Sequence, residues 1–263
     1  LGRLTTATNL YDPAQSQGFQ YDIVGNKTWD SRIGAITYPL PGSTRPHAPA
    51  SVAGQAMVYD LNGNLLSGRG RTYEWNVENK PTLINGVSFT YAGDGTRLKK
   101  SGPSGTTLYP LGDDYEIRGG EVTKYLRLGG ALIGKRVGSA NRWLHVDRLG
   151  SVQVVTDGAG LNVLRRAYRP YGQNIADSTT HWEPLGYIGQ RLDEETGLTY
   201  LHARYYDSEV GVFVSPDSLD ADQRGVGPAR YAYSHGDPAN LSDPSGQKDG
   251  YTCIGEYRDH TCA

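Results

Sequence analysis

Hydrolytic or redox chemistry needs a nucleophile, a pair of carboxylates or a set of metal ligands, and the chain can be searched for each. Cys253 and Cys262 stand nine residues apart, with Asp259 and His260 beside them. Those residue types can build a nucleophilic site, but the stretch from Lys248 to Ala263 is too short to fix their geometry. A small local disulfide and a pair of free thiols both fit the spacing. His145, His181, His202 and His235 occur singly, without the spacing of metal ligands, so neither a metal site nor a cofactor is expected. His47 lies in a Pro-rich stretch and reads as solvated. Aspartates recur along the chain and admit more than one reading. Two carboxylates close enough to share a proton can hydrolyse a peptide, one activating water while the other protonates the carbonyl. The bland alternative is local: Asp207, Asp237 and Asp243 all sit in turn-like contexts, where a carboxylate caps backbone N–H groups.

Any such pair must be positioned by β-structure. The 263 residues include 19 Tyr against 3 Phe, and 35 Gly. Tyr suits half-buried strand positions, and Gly suits tight turns. The composition points to many short strands, and Gly does not recur at every third position as a collagen would require. A net charge of -2 gives no basic face for nucleic acid. No apolar run approaches the length of a membrane-spanning helix. Leu1-Gly2-Arg3-Leu4 lacks a signal-peptide core, and the missing initiator Met makes the chain read as a piece of something longer.

Internal repeats supply the organisation. Tyr21-Asp22-Ile23-Val24-Gly25-Asn26 is echoed by Tyr59-Asp60-Leu61-Asn62-Gly63-Asn64, and more loosely around Tyr91, with Tyr73 between. The spacing predicts hairpins whose Asn/Gly corners accept positive φ. Residues 38–56 are Pro-rich and read as a surface loop inserted between repeats. Strands continue after residue 105, among them Glu121 to Leu128, Ala131 to Val137, Arg142 to Asp147, Ser151 to Asp157 and Val163 to Tyr168. No helix is expected before residue 217, and one short helical turn is expected from Asp217 to Gln223.

Three further stretches resemble the RHS repeat-associated core family. They are Trp143-Leu144-His145-Val146-Asp147-Arg148-Leu149-Gly150-Ser151; Gly186 to Asp193 with Thr196 to Asp207; and Phe213 to Asp217 with Tyr231-Ala232-Tyr233, Gly236-Asp237-Pro238-Ala239-Asn240 and Asp243-Pro244-Ser245-Gly246. With the repeats, the resemblance covers about residues 19–247. It implies an all-β fold in which antiparallel β-hairpin repeats form a spiral YD-repeat shell segment, closed by the RHS core as a plug. The expected division is residues 1–104 as hairpin repeats, 105–247 as the core, and 248–263 as the start of a variable C-terminal segment.

The resemblance also implies function. Family shells encapsulate a C-terminal toxin or effector, and bacterial members often cut themselves as aspartyl autoproteases just after an Asp-Pro-x-Gly-Leu motif. Carried over by motif, the catalytic residues are Asp217 and Asp243 with Arg204 as the associated cation, and the scissile bond is Gln247–Lys248. The chain departs from the pattern at Gln247, where Leu or Met is usual, and at Ser208 and Ser218, where Pro is usual. The implied partners are the chain's own effector segment, upstream shell strands and secretion or toxin-complex subunits, and the implied setting is secreted or at a bacterial cell surface. A competing reading is a carbohydrate-binding or adhesion scaffold without chemistry, using Trp29, Trp75, Trp143 and Trp182 as sugar platforms.

Overall fold

A computed structural model describes residues 2–179, 183–223, 227–253 and 256–258. The Cys253 side chain and all of Cys262, Asp259, His260, His181 and Trp182 lie outside what it describes. Every regular element among the described residues is a β-strand or a single 3-10 turn, and every strand pairing is antiparallel. The strands form a six-stranded sheet from Thr6–Ala7 to Gln55–Ala56, a fourteen-stranded sheet from Val58–Tyr59 to Asn174–Thr179, and a four-stranded sheet. A final hairpin joins Tyr251–Cys253 to Glu256–Arg258. Within each sheet, spatial order follows chain order.

The turns explain the hairpins. Asp22 Oδ1 accepts from the Asn26 backbone N–H at 2.8 Å, while Asn26 Nδ2 donates to the other carboxylate oxygen at 2.8 Å. Asp60 and Asn64 repeat the clamp at 2.8 and 2.9 Å. The glycine before each Asn has φ of +98° or +90°, which a side chain would resist. Asp147 and Asp157 close later turns with the same carboxylate-to-backbone bonds. As expected from the spacing, Tyr59, Tyr73 and Tyr91 fall on alternate strands of one sheet.

The four-stranded sheet comprises Arg191–Asp193, Leu198–Leu201, Arg204–Asp207 and Val212–Phe213. Its middle strands are buried throughout, because both faces are covered. Tyr205 packs with Leu65, Ile84 and Phe89 of the long sheet. Its neighbour Tyr206 packs with Phe19 of the first sheet, Tyr171 and Tyr233. Buried ion pairs fasten the small sheet to the long one: Arg97 to Asp193, Arg191 to Glu116 and Arg71 to Asp207. The small sheet is therefore a plug, and Arg204 opens one of its central strands.

Three local expectations change. Residues 38–56 are not all loop: Ser51–Val52 and Gln55–Ala56 form a hairpin that extends the first sheet, leaving the Pro-rich part as the connection before it. His47 is not simply solvated: its Nδ1 lies 2.7 Å from Asn26 Oδ1, and burial pushes its pKa down. No helix forms from Asp217 to Gln223; the segment is bends and one turn, closed by Gln223 N–H to Asp220 O at 3.0 Å. Pro216 and the Asp217 carboxylate favour that turn chemistry over a helix start without a following apolar face. The long sheet continues without a break through residues 103–104, which form the turn between Arg97–Gly102 and Gly105–Leu108.

Candidate functional site: a buried arginine between two aspartates

Arg204, Asp217 and Asp243 come from three separated segments and meet in the interior. Arg204 leads its strand directly after the His202–Ala203 turn. Asp217 follows Pro216, and its backbone N–H donates to Arg230 O at 3.0 Å. Asp243 sits beside the Ser242–Gly250 bridge, in a turn that Gly246 completes at φ +71°. A Cβ on Gly246 would stand 2.3 Å from Leu201 O, so the turn packs against the plug only without a side chain.

The guanidinium holds the three segments together. One terminal nitrogen of Arg204 lies 2.7 Å from Asp217 Oδ2 and 3.4 Å from Asp243 Oδ2. Its other N–H groups donate to Gly246 O and, at 2.9 Å, to Arg230 O. The planar cation lies 3.5 Å from the Phe213 ring centroid. Each carboxylate divides its work. Asp217 Oδ1 accepts from Leu219 N–H at 2.9 Å, and Asp243 Oδ1 accepts from Ser245 Oγ at 3.0 Å and Gln247 N–H at 3.1 Å. The turn-forming and charge-pairing readings of these aspartates are thus both realised, on different oxygens.

Burial dominates the electrostatics. It raises the pKa of Asp217 and of Asp243, with Arg204 opposing in each case and Asp217 adding to the rise at Asp243. It also lowers that of Arg204 despite the two carboxylates. All three groups are pulled toward neutrality, so desolvation outweighs their mutual attraction. A cavity of about 10 Å³, near the minimum for one water, is lined by Arg204, Asp217, Asp243 and Gln247 among others. A larger polar cavity of about 380 Å³ reaches Arg204, Asp217 and Gln247 from the side of Asn64, Asn79 and Lys80.

Gln247 and Lys248 lie at the same place. Gln247 N–H points at Asp243, and its side-chain amide donates to Ser218 Oγ at 3.1 Å. Lys248 N–H donates to Ser245 Oγ at 3.3 Å. Beyond the bond, Asp249 is buried against His235 at 3.3 Å, and Ser242 and Gly250 exchange backbone hydrogen bonds of 3.1 and 3.0 Å. The structure thus brings together every sequence-predicted site residue. Sequence reasoning missed His235, Asp249, Phe213 and the Ser218–Gln247 contact. The only available signal was that Ser218 and Gln247 both depart from the family pattern. Of the proposed sugar platforms, Trp75 is engaged in packing: its indole N–H donates to Leu65 O at 2.7 Å and its ring stacks on Tyr73. Trp143 is part-exposed on the long sheet.

Comparison with known proteins agrees with this architecture. Residues 112–237 match the family model described as Teneurin YD-shell. The tRNA3(Ser)-specific nuclease WapA of Bacillus spizizenii is 29% identical over 216 residues, 73% of this chain and 9% of that protein. Toxin protein Tse5 of Pseudomonas aeruginosa is 36% identical over 112 residues, 40% of this chain and 8% of that one. The crystal structure of TcdB2-TccC3-TEV superposes with a TM-score of 0.69 at 19% identity, covering 88% of this chain and 13% of its counterpart. The chain is all-β, resembles a YD-shell over residues 112–237, and shares its fold with the TcdB2-TccC3 structures. It spans under a tenth of the length of the curated relatives it matches. No helix among the described residues is long and apolar enough to cross a membrane, which says nothing of crossing by strands.

Proposed function

We propose that this domain is the closing end of a bacterial toxin shell, and that it cuts its own chain between Gln247 and Lys248. Residues 1–104 then supply shell hairpins, 105–247 the core that closes them, and 248–263 the first stretch of the enclosed effector segment. Export, a place in a toxin complex and contact with upstream shell strands belong to the same reading. The names of relatives such as Tse5 support it, as does the likeness to TcdB2-TccC3.

One observation carries the chemical part: Arg204 joins two buried carboxylates, and one of them holds the N–H of Gln247 at 3.1 Å. Burial raises the proton affinity of both acids, and the guanidinium opposes that rise at each, most closely at Asp217. One ionised and one protonated carboxyl in a single buried site is an arrangement that can hydrolyse a peptide. The ionised carboxylate takes a proton from water as its oxygen attacks the Gln247 carbonyl carbon. The protonated partner donates to the carbonyl oxygen. As the tetrahedral species collapses and the C–N bond breaks, the first carboxyl passes the proton it took from water to the Lys248 nitrogen, the second recovers its own from the tetrahedral hydroxyl, and Lys248 leaves with a free α-amino group.

The test is intact mass of the full chain carrying a C-terminal tag, beside Asp217→Asn and Asp243→Asn. Loss of everything after Gln247 in the wild type, with both variants whole, is the expected result. A folded wild type that stays whole removes the proposal and leaves a passive scaffold.

A further inference from the structure

We infer that the side chain of Gln247 positions the scissile bond by pairing with Ser218, and that this pair sets which residue is accepted before the cut. The inference rests on the self-cleavage reading and adds to it a determinant of cleavage register.

The geometry is a bridge between the loops that carry the two carboxylates. On one side, Gln247 N–H is held by Asp243 Oδ1 at 3.1 Å and by Ser245 Oγ at 3.2 Å. On the other, its Nε2 reaches Ser218 Oγ at 3.1 Å. Ser218 is itself held in place, because Asp217 Oδ1 accepts from Leu219 N–H at 2.9 Å and so closes a small turn around it. Gln247 therefore reaches both acids' loops at once. Backbone bonds at Asp243 alone leave the peptide free to slide by a residue, since any residue offers an N–H there. The side-chain bond removes that freedom, because the long amide at position 247 spans the distance to Ser218. Asn would be one methylene too short, and Leu or Met would leave the Ser218 hydroxyl facing an apolar group. Ser218 is solvent-exposed and outside the core, so its hydroxyl has no evident part in holding the fold.

The experiment follows cleavage in time during cell-free synthesis of the full chain, with mass spectrometry locating the cut. Ser218→Ala is expected to slow cleavage about 2- to 12-fold, the range that one net hydrogen bond supplies. It is also expected to move part of the cut to bonds beside Gln247–Lys248. Ser218→Thr keeps the hydroxyl and should restore rate and register. In a Gln247→Met background, Ser218→Ala should cost little more, because the pair is already broken. Independent, multiplying effects of the two changes, or Ser218→Thr behaving like Ser218→Ala, would overturn the inference while leaving self-cleavage standing. A wild type that is never cut fails at the earlier step and takes the inference with it. Matched thermal unfolding of Ser218→Ala and wild type separates positioning from folding.

Discussion

Replacing Arg204 with Met tests the centre of the site by removing its charge while keeping an unbranched chain against Phe213. The variant strands Asp217 and Asp243, both almost wholly buried, without the cation that faces them at 2.7 and 3.4 Å. Gly246 O and Arg230 O lose their donor in the same step. Breaking a buried ion pair by deleting one partner costs about 3–5 kcal/mol. At about 2–4 °C per kcal/mol for a chain of this size, Tm should fall by about 6–20 °C at neutral pH. The loss should depend on pH in a set direction. Both carboxyls already have folded-state pKa values raised by burial, and removing the guanidinium raises them further. A carboxyl whose folded pKa lies above its unfolded one contributes stability below the unfolded pKa and loses it as pH rises through the folded pKa. The gap between variant and wild type should therefore narrow as pH falls from 7 toward 4. Thermal unfolding followed by circular dichroism across that range reads it out. The triple variant Arg204→Met, Asp217→Asn, Asp243→Asn should recover much of the loss, because no buried charge is left unpaired. A triple variant no more stable than Arg204→Met alone would refute the reasoning, since the damage would then be packing rather than charge.

Two other outcomes follow from neighbouring features. Gly246→Ala should lower Tm by at least about 2–8 °C, because a left-handed backbone costs an L-residue about 1–2 kcal/mol before the contact with Leu201 O is counted. It should also abolish the cut after Gln247, read by intact mass, since the turn presenting that residue must move. Lys27 is fully buried beside Asp30, 4.0 Å from the Tyr171 ring centroid, and burial pushes its pKa down to about 8. A lysine with a lowered folded pKa makes the protein gain stability as pH rises from about 8 toward its unfolded value. Wild-type Tm should thus rise, relative to Lys27→Met, between pH 7 and 9.5; parallel curves would exclude that role.

The parts of this fold that sequence reasoning reached are those governed by short-range chemistry. The Asp22–Asn26 and Asp60–Asn64 clamps close over four residues, so their motif carries its own turn and can be read in isolation. Strand alternation around Phe89 and Tyr91 is equally local. What could not be read is what crosses long separations. Nothing near Arg204 announces Phe213 as its stacking partner, or Gly246 and Arg230 as its acceptors. His47 looked exposed because its partner Asn26 lies across a Pro-rich connection. Ser218 and Gln247 were each visible as departures from a family pattern, yet only the fold shows that they face one another. The site residues themselves were legible through resemblance, not through spacing, because three segments spread over forty residues meet only when the plug is in place.

The long sheet has a mechanical consequence. From Val58 to Thr179 each strand pairs within the sheet with those before and after it in the chain. No strand is trapped between two that come later, so tension applied at one end would unzip it a hairpin at a time, at a low and steady force. The same property lets strands add in order as the chain emerges during synthesis. The small sheet works against this, since Arg97 grips Asp193 from 96 residues away. Pulled on, the domain should first release the plug in one abrupt event and then pay out smoothly as a single extended thread.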